Sequence, residues 1–270
     1  MTTPFLKMCG VATEKMKIST KSEKGMYKFG LVSVSFREYS PEEILSEMKK
    51  CCLEYIEWGS DIHAPTENKK RIEELKFLQE KYKMKTSSYG TYFRAGVNKS
   101  KEIYPYIENA LALGTNTLRI WCGDKSMELY KEEKKVFFSS LKELDKIARE
   151  EKVTLSFECH NNTYTNSVVG ALELMEMVSE GGLKMYWQPN QYKSVEENLE
   201  YAEKIAPYVD IIHVFNWQKD ERIPLSEGID VWKKYLDKFG DNKTLLLEFM
   251  PDNRLNSLRS EADALYKIAR

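Results

Sequence analysis

The chain of 270 residues has few histidines and cysteines, and neither sign of charge is in excess. Its 41 Lys and Arg residues stand against 42 Asp and Glu residues, so the formal net charge is -1. A neutral balance lacks the basic surface typical of proteins that bind nucleic acid or anionic membranes. No apolar run reaches the roughly 20 residues that a membrane-spanning helix needs. We therefore expect no nucleic-acid partner and no membrane partner.

The five cysteines form no Cys-x-x-Cys pair and show none of the spacings of a disulfide framework. Residues 1–25 lack the apolar stretch of a secretory signal and contain no arginine, which argues against a transit peptide. These absences predict a cytoplasmic protein. We interpret residues 1–25 as a polar, flexible tail and residues 26–270 as one domain.

From Tyr27 onward, short apolar runs alternate with longer amphipathic stretches. The runs recur about every thirty residues, the length of one strand, one helix and two loops. Eight runs have the character of strands: 28–36, 55–59, 85–90, 117–122, 153–159, 183–188, 210–216 and 244–249. They predict an α/β fold, a single-domain (β/α)8 TIM barrel. A doubly wound open sheet alternates similarly, but it more often has a glycine-rich turn after its first strand, which residues 35–39 lack.

Histidine, tryptophan and other polar or aromatic residues collect at the ends of these runs. In a barrel, the carboxyl ends of all strands face one bowl, where ligands bind. Aromatic rings there can pack on the C–H faces of a sugar. The tryptophans could instead plug the barrel mouth, and His63 could be a hydrogen-bonded loop residue. We predict substrate contacts from Trp58, His63, Tyr89, Arg119, Trp121, His160, Trp187, Asn190, Trp217 and Lys219.

Two glutamates interrupt apolar strands, Glu158 in Phe-Glu-Cys and Glu248 in Leu-Glu-Phe. A carboxylate buried without a partner is costly, so each requires an ion pair, for example with Arg119, or a function. His213 ends a third strand, and two carboxylates with one imidazole suit Mn²⁺, Mg²⁺, Co²⁺ or Zn²⁺. Together the three residues favour a functional site.

From about Tyr27 to Arg270, the chain resembles the sugar phosphate isomerase/epimerase superfamily with a xylose isomerase-like TIM barrel. Within it, the chain is most similar to a branch whose sixth strand ends in Trp-Gln-Pro. The resemblance rests on Ile56-Glu57-Trp58-Gly59, His63-Ala64-Pro65, Ser88-Tyr89-Gly90, Arg119-Ile120-Trp121, Phe157-Glu158-Cys159-His160, Tyr186-Trp187-Gln188-Pro189-Asn190, Ile212-His213-Val214-Phe215 and Leu247-Glu248-Phe249.

The resemblance implies one divalent ion held by Glu, Asp, His and Glu from strands five to eight, with the two Glu residues exchanging protons with the substrate. Glu158, His213 and Glu248 match this pattern, and Gln188 stands at the Asp position. An amide oxygen is a weaker ligand for a hard cation than a carboxylate. We therefore expect Glu158 and Glu248 as catalytic residues, and Glu158, Gln188, His213 and Glu248 as metal ligands.

These residues predict an isomerase, either an aldose–ketose isomerase or a ketose epimerase, acting on a small carbohydrate. A lyase or dehydratase acting on a related polyol ketone begins with the same proton abstraction. A metal-free sugar-binding barrel is a third interpretation, in which Gln188 marks loss of the ion. An endonuclease IV-like phosphodiesterase is disfavoured, because the resemblance to that branch implies a metal site with many histidine ligands and this chain has three histidines. Relatives are often dimers or tetramers, so a homo-oligomer is compatible with the sequence.

Overall fold

Eight parallel strands form the centre of the fold and are followed in turn by eight helices. A computed structural model describes residues 27–178 and 181–270, so the predicted tail, residues 1–25, lies outside the described residues. The strands are β1 Lys28–Val32, β2 Tyr55–Gly59, β3 Lys85–Ala95, β4 Thr117–Cys122, β5 Thr154–Glu158, β6 Leu183–Trp187, β7 Val209–Val214 and β8 Thr244–Leu247. The helices are α1 Pro41–Lys50, α2 Lys69–Tyr82, α3 Tyr104–Ala112, α4 Lys134–Glu150, α5 Val168–Met177, α6 Val195–Ile205, α7 Ile229–Leu236 and α8 Leu258–Ile268.

The sheet closes on itself, because β1 pairs in parallel with both β2 and β8. Around the barrel the strands run in chain order, each beside its sequence neighbour. This closure confirms the predicted (β/α)8 TIM barrel as a single domain. The observed strands differ most from the predicted runs at β1 and β3. β1 ends at Val32 and is followed by a 3-10 turn, Ser33–Phe36, whereas β3 continues to Ala95.

The helix starts follow local chemistry. Ser40 and Ser194 each accept a hydrogen bond from the backbone of the third helical residue, and Glu43 and Glu197 each reach back to the capping backbone N–H. Such reciprocal capping satisfies donors that the first turn leaves unpaired. The capping boxes therefore fix where α1 and α6 begin after the loops that leave the barrel mouth.

Apolar side chains fill the layer between the strands and the helices. A second, smaller cluster of buried apolar residues comprises Val32, Val34, Tyr186, Ile211 and Leu246. It adjoins buried polar side chains inside the barrel, since the Tyr186 hydroxyl donates to Glu57 and Leu246 pairs with His213. Within the described ranges, no helix combines the length and apolar character needed to cross a membrane.

A short hairpin missing from the sequence prediction follows β7. Its strands, Trp217–Gln218 and Glu221–Arg222, pair antiparallel, with Trp217 opposite Arg222. The hairpin leads into a 3-10 turn, Leu225–Glu227, which precedes α7. Four of the five cysteines, Cys51, Cys52, Cys122 and Cys159, lie in the described ranges and are free thiols.

Candidate functional site

Strand alternation decides which residues enter the barrel. Successive side chains of a strand point to opposite faces, so only every second residue faces the interior. Glu57 on β2 and Glu158 on β5 face inward, whereas their neighbours Trp58 and Phe157 pack in the strand–helix layer. The polar residues that meet inside the barrel therefore come from many strands, each contributing its inward-facing positions.

A buried network centred on Glu57 spans the barrel. One oxygen of Glu57 accepts a hydrogen bond from Arg119 Nε at 2.8 Å. The other oxygen accepts from Ser88 Oγ at 2.9 Å and from the Tyr186 hydroxyl at 3.0 Å, and it lies 3.4 Å from His213 Nε2. We call Glu57, Ser88, Arg119 and Tyr186 the Glu57 network. It connects β2, β3, β4 and β6 and reaches His213 on β7.

A second group lies on the other side of the His213 ring. Nδ1 of His213 is 3.2 Å from the side-chain oxygen of Gln188, 3.4 Å from Glu248 Oε2 and 3.6 Å from Glu158 Oε1. We call Glu158, Gln188, His213 and Glu248 the His213 cluster. The structure thus brings together all four residues that the sequence predicted as metal ligands.

Arg119 joins the network to the cluster. Its Nε donates to Glu57, and its Nη1 donates to Glu158 Oε2 at 2.5 Å. The sequence predicted that Arg119 contacts substrate oxygens. In this structure its guanidinium instead forms a double ion pair with Glu57 and Glu158, and its side chain is only 5% exposed. The ion pair considered as an alternative for Glu158 is therefore present.

Charge complementarity sets the protonation states of the buried groups. Burial opposes ionisation of Glu57, but the charges of Arg119 and His213 outweigh it and lower the pKa to about 2. The pKa of Glu158 is likewise lowered, with Arg119 and His213 overcoming the burial penalty. Burial alone would lower the pKa of His213, yet the carboxylates of Glu248 and Glu57 raise it well above its usual range. Glu57 and Glu158 are therefore carboxylates at neutral pH.

The His213 cluster fits a small divalent cation. Glu158, His213 and Glu248 offer ligand atoms that lie within 4.8 Å of one another. Glu248 Oε2 is buried and has no hydrogen-bond partner among the described residues, which leaves a carboxylate oxygen available as a ligand. Carboxylate, amide and imidazole donors suit Mg²⁺, Mn²⁺, Co²⁺ or Zn²⁺. The donor set by itself does not select one metal.

Trp121 and His160 lie at the mouth beside Glu158. The indole N–H of Trp121 donates to Glu158 Oε2, and its ring stacks on His160 with 4.9 Å between centroids. The guanidinium of Arg94 covers the Trp121 ring at 4.2 Å. Trp121 and His160, both predicted to contact substrate, are half-buried. This wall of the mouth therefore offers an aromatic surface next to a carboxylate.

Three predicted aromatic contacts lie elsewhere. The Trp58 indole is fully buried and donates to Gln79 on α2 at 2.8 Å. Tyr89 donates its hydroxyl to the Ala64 carbonyl at 2.6 Å. Trp187 packs on rings of α7 and the residues just after it: Trp232, Tyr235 and Phe239. The prediction that these three rings line a sugar pocket is wrong, because strand alternation turns them into the strand–helix layer.

His63 also lies away from the cluster. It is 2% exposed, and its Nε2 lies 3.1 Å from the Tyr39 carbonyl. Burial lowers the pKa of His63, so the ring is neutral at physiological pH. The alternative interpretation, a hydrogen-bonded loop residue, describes its position, and the predicted substrate contact is wrong for this structure.

Asn190, Trp217 and Lys219 belong to the loops above the barrel. Asn190 donates its side-chain amide to Asn161 at 2.7 Å, which links the loops after β5 and β6. Trp217 is half-buried in the hairpin, whereas Lys219 occupies its exposed turn at a φ of 55°. The structure therefore keeps Trp217 at the mouth and places Lys219 on the surface.

The predicted site residues did not include Glu57, Ser88 and Tyr186. Glu57 carried a usable signal, since it interrupts an apolar strand as Glu158 and Glu248 do. Gly90 supports the network, because a Cβ at this position would lie 2.5 Å from Glu57 Oε1 and 2.8 Å from Arg119 Nη2. Glycine on β3 therefore leaves the space in which the Glu57–Arg119 pair forms.

Residues 45–268 match the family described as the xylose isomerase-like TIM barrel. No curated protein sequence matches the chain. Among solved structures, the probable 3-DHS dehydratase AsbF of Bacillus anthracis superposes with a TM-score of 0.73 at 17% identity, covering 89% of this chain and 99% of that one.

Two further solved structures share the fold. A xylose isomerase-like TIM barrel protein from Mycobacterium smegmatis, in complex with magnesium, has a TM-score of 0.67 at 13% identity, with 90% and 97% of the two chains covered. D-psicose 3-epimerase with D-tagatose from Clostridium cellulolyticum H10 has a TM-score of 0.64 at 14% identity, with 90% and 98% covered. At these identities the likeness concerns the fold alone.

Proposed function

Because the chain belongs to the xylose isomerase-like TIM barrel family, we propose that it is an isomerase or epimerase that moves a proton beside the carbonyl of a sugar or sugar phosphate. One observation carries the proposal: two buried carboxylates, Glu158 and Glu248, flank the same nitrogen of His213 at the carboxyl end of the barrel. Structural neighbours that include D-psicose 3-epimerase support it.

The reaction requires a placed base and a placed acid. A proton on a carbon beside a carbonyl is weakly acidic, so its removal needs a nearby base and stabilisation of the resulting enediolate. Glu158 on β5 is ionised beside Arg119, and Glu248 follows β8, three strands further round the barrel than β5. One carboxylate would remove the proton and the other would return it, which inverts or relocates the stereocentre.

Glu158, Gln188, His213 and Glu248 would hold the divalent cation of this site. When bound, such an ion polarises the substrate carbonyl and neutralises the charge that develops on its oxygen. The Glu248 oxygen that has no hydrogen-bond partner among the described residues supports this assignment, as does the fold neighbour crystallised with magnesium. Glu57 lies 3.4 Å from Nε2 of His213, so a proton on that nitrogen would face Glu57 and leave Nδ1 to face the ligand group.

A carbohydrate suits the walls of the mouth. Trp121, stacked on His160, and Trp217 present half-buried rings on which the C–H faces of a sugar can pack. Arg119 would act by holding Glu158 rather than by contacting the substrate. Cytoplasmic location and assembly into a homo-oligomer stay predictions from the sequence.

A dehydratase is a second candidate, favoured by the superposition on the probable 3-DHS dehydratase. Dehydration begins with the same abstraction of a proton beside a carbonyl, after which a β-hydroxyl leaves as water. The product distinguishes the two reactions, since only dehydration forms a new carbon–carbon double bond that absorbs in the ultraviolet. A metal-free sugar-binding barrel would bind ketoses without exchanging any proton.

The test is exchange of substrate protons with solvent. The protein is incubated in D2O with Mn²⁺ and a panel of ketoses and ketose phosphates. After removal of Mn²⁺, deuterium at the carbon beside the carbonyl is measured by NMR. We expect Glu158→Gln and Glu248→Gln each to slow the exchange at least about 100-fold, the usual contribution of a general base. Glu132→Gln, an exposed residue before α4, is the matched control and should leave exchange unchanged.

Exchange that persists in either active-site variant would assign the proton transfer to another group. If the wild-type protein binds ketoses without exchange or water loss, the sugar-binding interpretation replaces the enzymatic one.

A further inference from the structure

The guanidinium of Arg222 lies against two adjoining aromatic rings at the mouth of the barrel. Its central carbon is 5.1 Å from the Trp217 ring centroid and 4.9 Å from that of Phe249. The two rings contact each other edge to face at 5.5 Å. Arg222 also pairs with Trp217 across the hairpin. Cation–π contacts with two rings hold the guanidinium in place.

This fixed charge lacks a neutralising partner. Its hydrogen bond goes to the side-chain oxygen of Asn253, a neutral group, and no carboxylate among the described residues forms a salt bridge with it. A second donor lies next to it, because the Trp217 Nε1 atom is buried and has no hydrogen-bond partner in the described part of the chain. Two donors of hydrogen bonds, one of them charged, are thus unpaired with any anion.

Arg222 lies close to the His213 cluster, because Phe249, one of the two rings that it contacts, directly follows Glu248 in the chain. Burial lowers the pKa of Arg222, the charge of Glu248 raises it, and the charge of Arg37 lowers it further. Arg37 is engaged with Asp61 and with the Tyr92 hydroxyl, so its own charge is paired. The guanidinium of Arg222 therefore lies within the electrostatic influence of the proposed catalytic carboxylate.

The backbone is held in a costly conformation to build this platform. Phe249 has a φ of 55°, the left-handed region that favours glycine, and its N–H donates to Ser35 Oγ at 3.0 Å. Strained residues of this kind cluster at ligand-binding sites. A glycine would relieve the strain but remove the ring under Arg222.

We propose that Arg222, held on Trp217 and Phe249, binds an anionic group of the substrate, a carboxylate or a phosphate, at the wall of the mouth next to Glu248. The inference rests on the proposed function in one respect, since the proposed function places the reacting end of the same substrate at Glu158 and Glu248. A ketose carrying a negative charge at its far end is then the preferred class of ligand.

The test compares matched ketoses in calorimetric titrations of the wild-type protein. D-fructose, D-fructose 6-phosphate and D-fructuronate share a ketose frame and differ in charge, and inorganic phosphate probes the anion alone. We expect at least one charged ketose to bind about tenfold or more tightly than D-fructose, as a charge-assisted hydrogen bond allows. The tighter of the two charged ligands identifies the anion as phosphate or carboxylate.

Three variants locate the effect. Arg222→Gln should remove the preference for the charged ketose, whereas Arg94→Gln, which alters the guanidinium stacked on Trp121, should keep it. Phe249→Gly should also weaken anion binding, because it removes one of the two rings on which Arg222 lies. Equal binding of charged and neutral ketoses, or equal loss in Arg222→Gln and Arg94→Gln, would overturn the inference.

Failure of the inference and failure of the proposed function give different results. Suppose that neutral ketoses exchange protons with solvent and that anion binding is the same in wild type and Arg222→Gln. This result would reject the anion subsite and retain the proposed enzymatic function. Phosphate binding that depends on Arg222, in a protein that exchanges no ketose proton, would keep the subsite and reject the isomerase.

Discussion

Gln188 is the residue at which this chain departs from the ligand pattern implied by its family resemblance. Its side-chain oxygen lies 3.2 Å from His213 Nδ1, so it lies beside the other residues of the His213 cluster. A neutral amide oxygen contributes less to binding of a hard divalent cation than a carboxylate does. The proposed cation should therefore be held less tightly than by a set with three carboxylates.

Gln188→Asp tests this difference. We expect the variant to bind Mn²⁺ at least about tenfold more tightly in calorimetric titration of metal-stripped protein, because a full negative charge replaces an amide dipole. Gln191→Asp is the control, since it adds the same charge three residues away without joining the cluster. Equal affinity in wild type and Gln188→Asp would place the cation away from residue 188.

Single residues also show how far the sequence predicts the site. The positions of Glu158, His213 and Glu248 at strand ends were predictable, because the apolar runs locate the strands and the barrel brings their ends together. Trp58, as one example, was assigned by its position along the chain, whereas its orientation depends on a count of alternate residues. Glu57 and Glu158 face the barrel interior. Because successive side chains of a strand alternate between its two faces, the ring next to either glutamate is expected to face away from the mouth.

Among the elements, the hairpin after β7 was beyond the reach of sequence periodicity. Its two strands have two residues each, too few to show an alternating pattern. The eight barrel strands, by contrast, are apolar runs long enough to recognise, and eight β/α repeats specify the closed barrel. Arg222 therefore belongs to an element that the sequence periodicity did not reveal.

The turn below this hairpin depends on a buried carboxyl group. Glu261 on α8 accepts a hydrogen bond from the backbone N–H of Leu225 at 3.0 Å. Burial raises the pKa of Glu261 to about 7, with Asp252 adding to the shift and the Leu225 N–H opposing it. Because the folded value lies above the unfolded one, the native state binds a proton that the unfolded chain releases. Stability from this group is therefore lost as the pH rises from about 4.5 to 7.

Glu261→Gln should remove this pH dependence. The amide keeps an oxygen for the Leu225 N–H and cannot ionise, so we expect the variant to be about 2 kcal/mol more stable than wild type at pH 8 and about equal at pH 4.5. Urea unfolding at the two pH values measures the difference. Glu227→Gln, an exposed residue of the same turn, should show no such difference. A Glu261→Gln variant less stable than wild type at pH 8 would contradict the assignment.

The whole molecule is held together across the barrel by one buried ionic layer. Glu57 receives hydrogen bonds from β3, β4 and β6 and approaches His213 on β7, while Arg119 extends the layer to Glu158 on β5. Six strands therefore meet through buried side chains. Removing one partner of such a buried pair leaves the other charge without compensation.

Glu57→Gln tests the layer with little change in volume. Because the pKa of Glu57 is lowered to about 2, its stabilising contribution is complete above about pH 4.5 and is lost as the pH falls through 2. We expect the variant to lose about 3 kcal/mol of unfolding free energy at pH 7, as measured by urea unfolding. The difference in unfolding free energy between wild type and variant should become smaller below pH 4.5.

The same substitution on the surface is the control. Glu42 pairs with Lys81 at 2.5 Å, half exposed to solvent, so Glu42→Gln should change stability too little to measure. Equal losses in the two variants would mean that Glu57 contributes no more than a surface ion pair. The larger loss at Glu57 would instead show that the barrel depends on the layer that also positions Glu158 and His213, so that folding and the proposed chemistry rest on the same side chains.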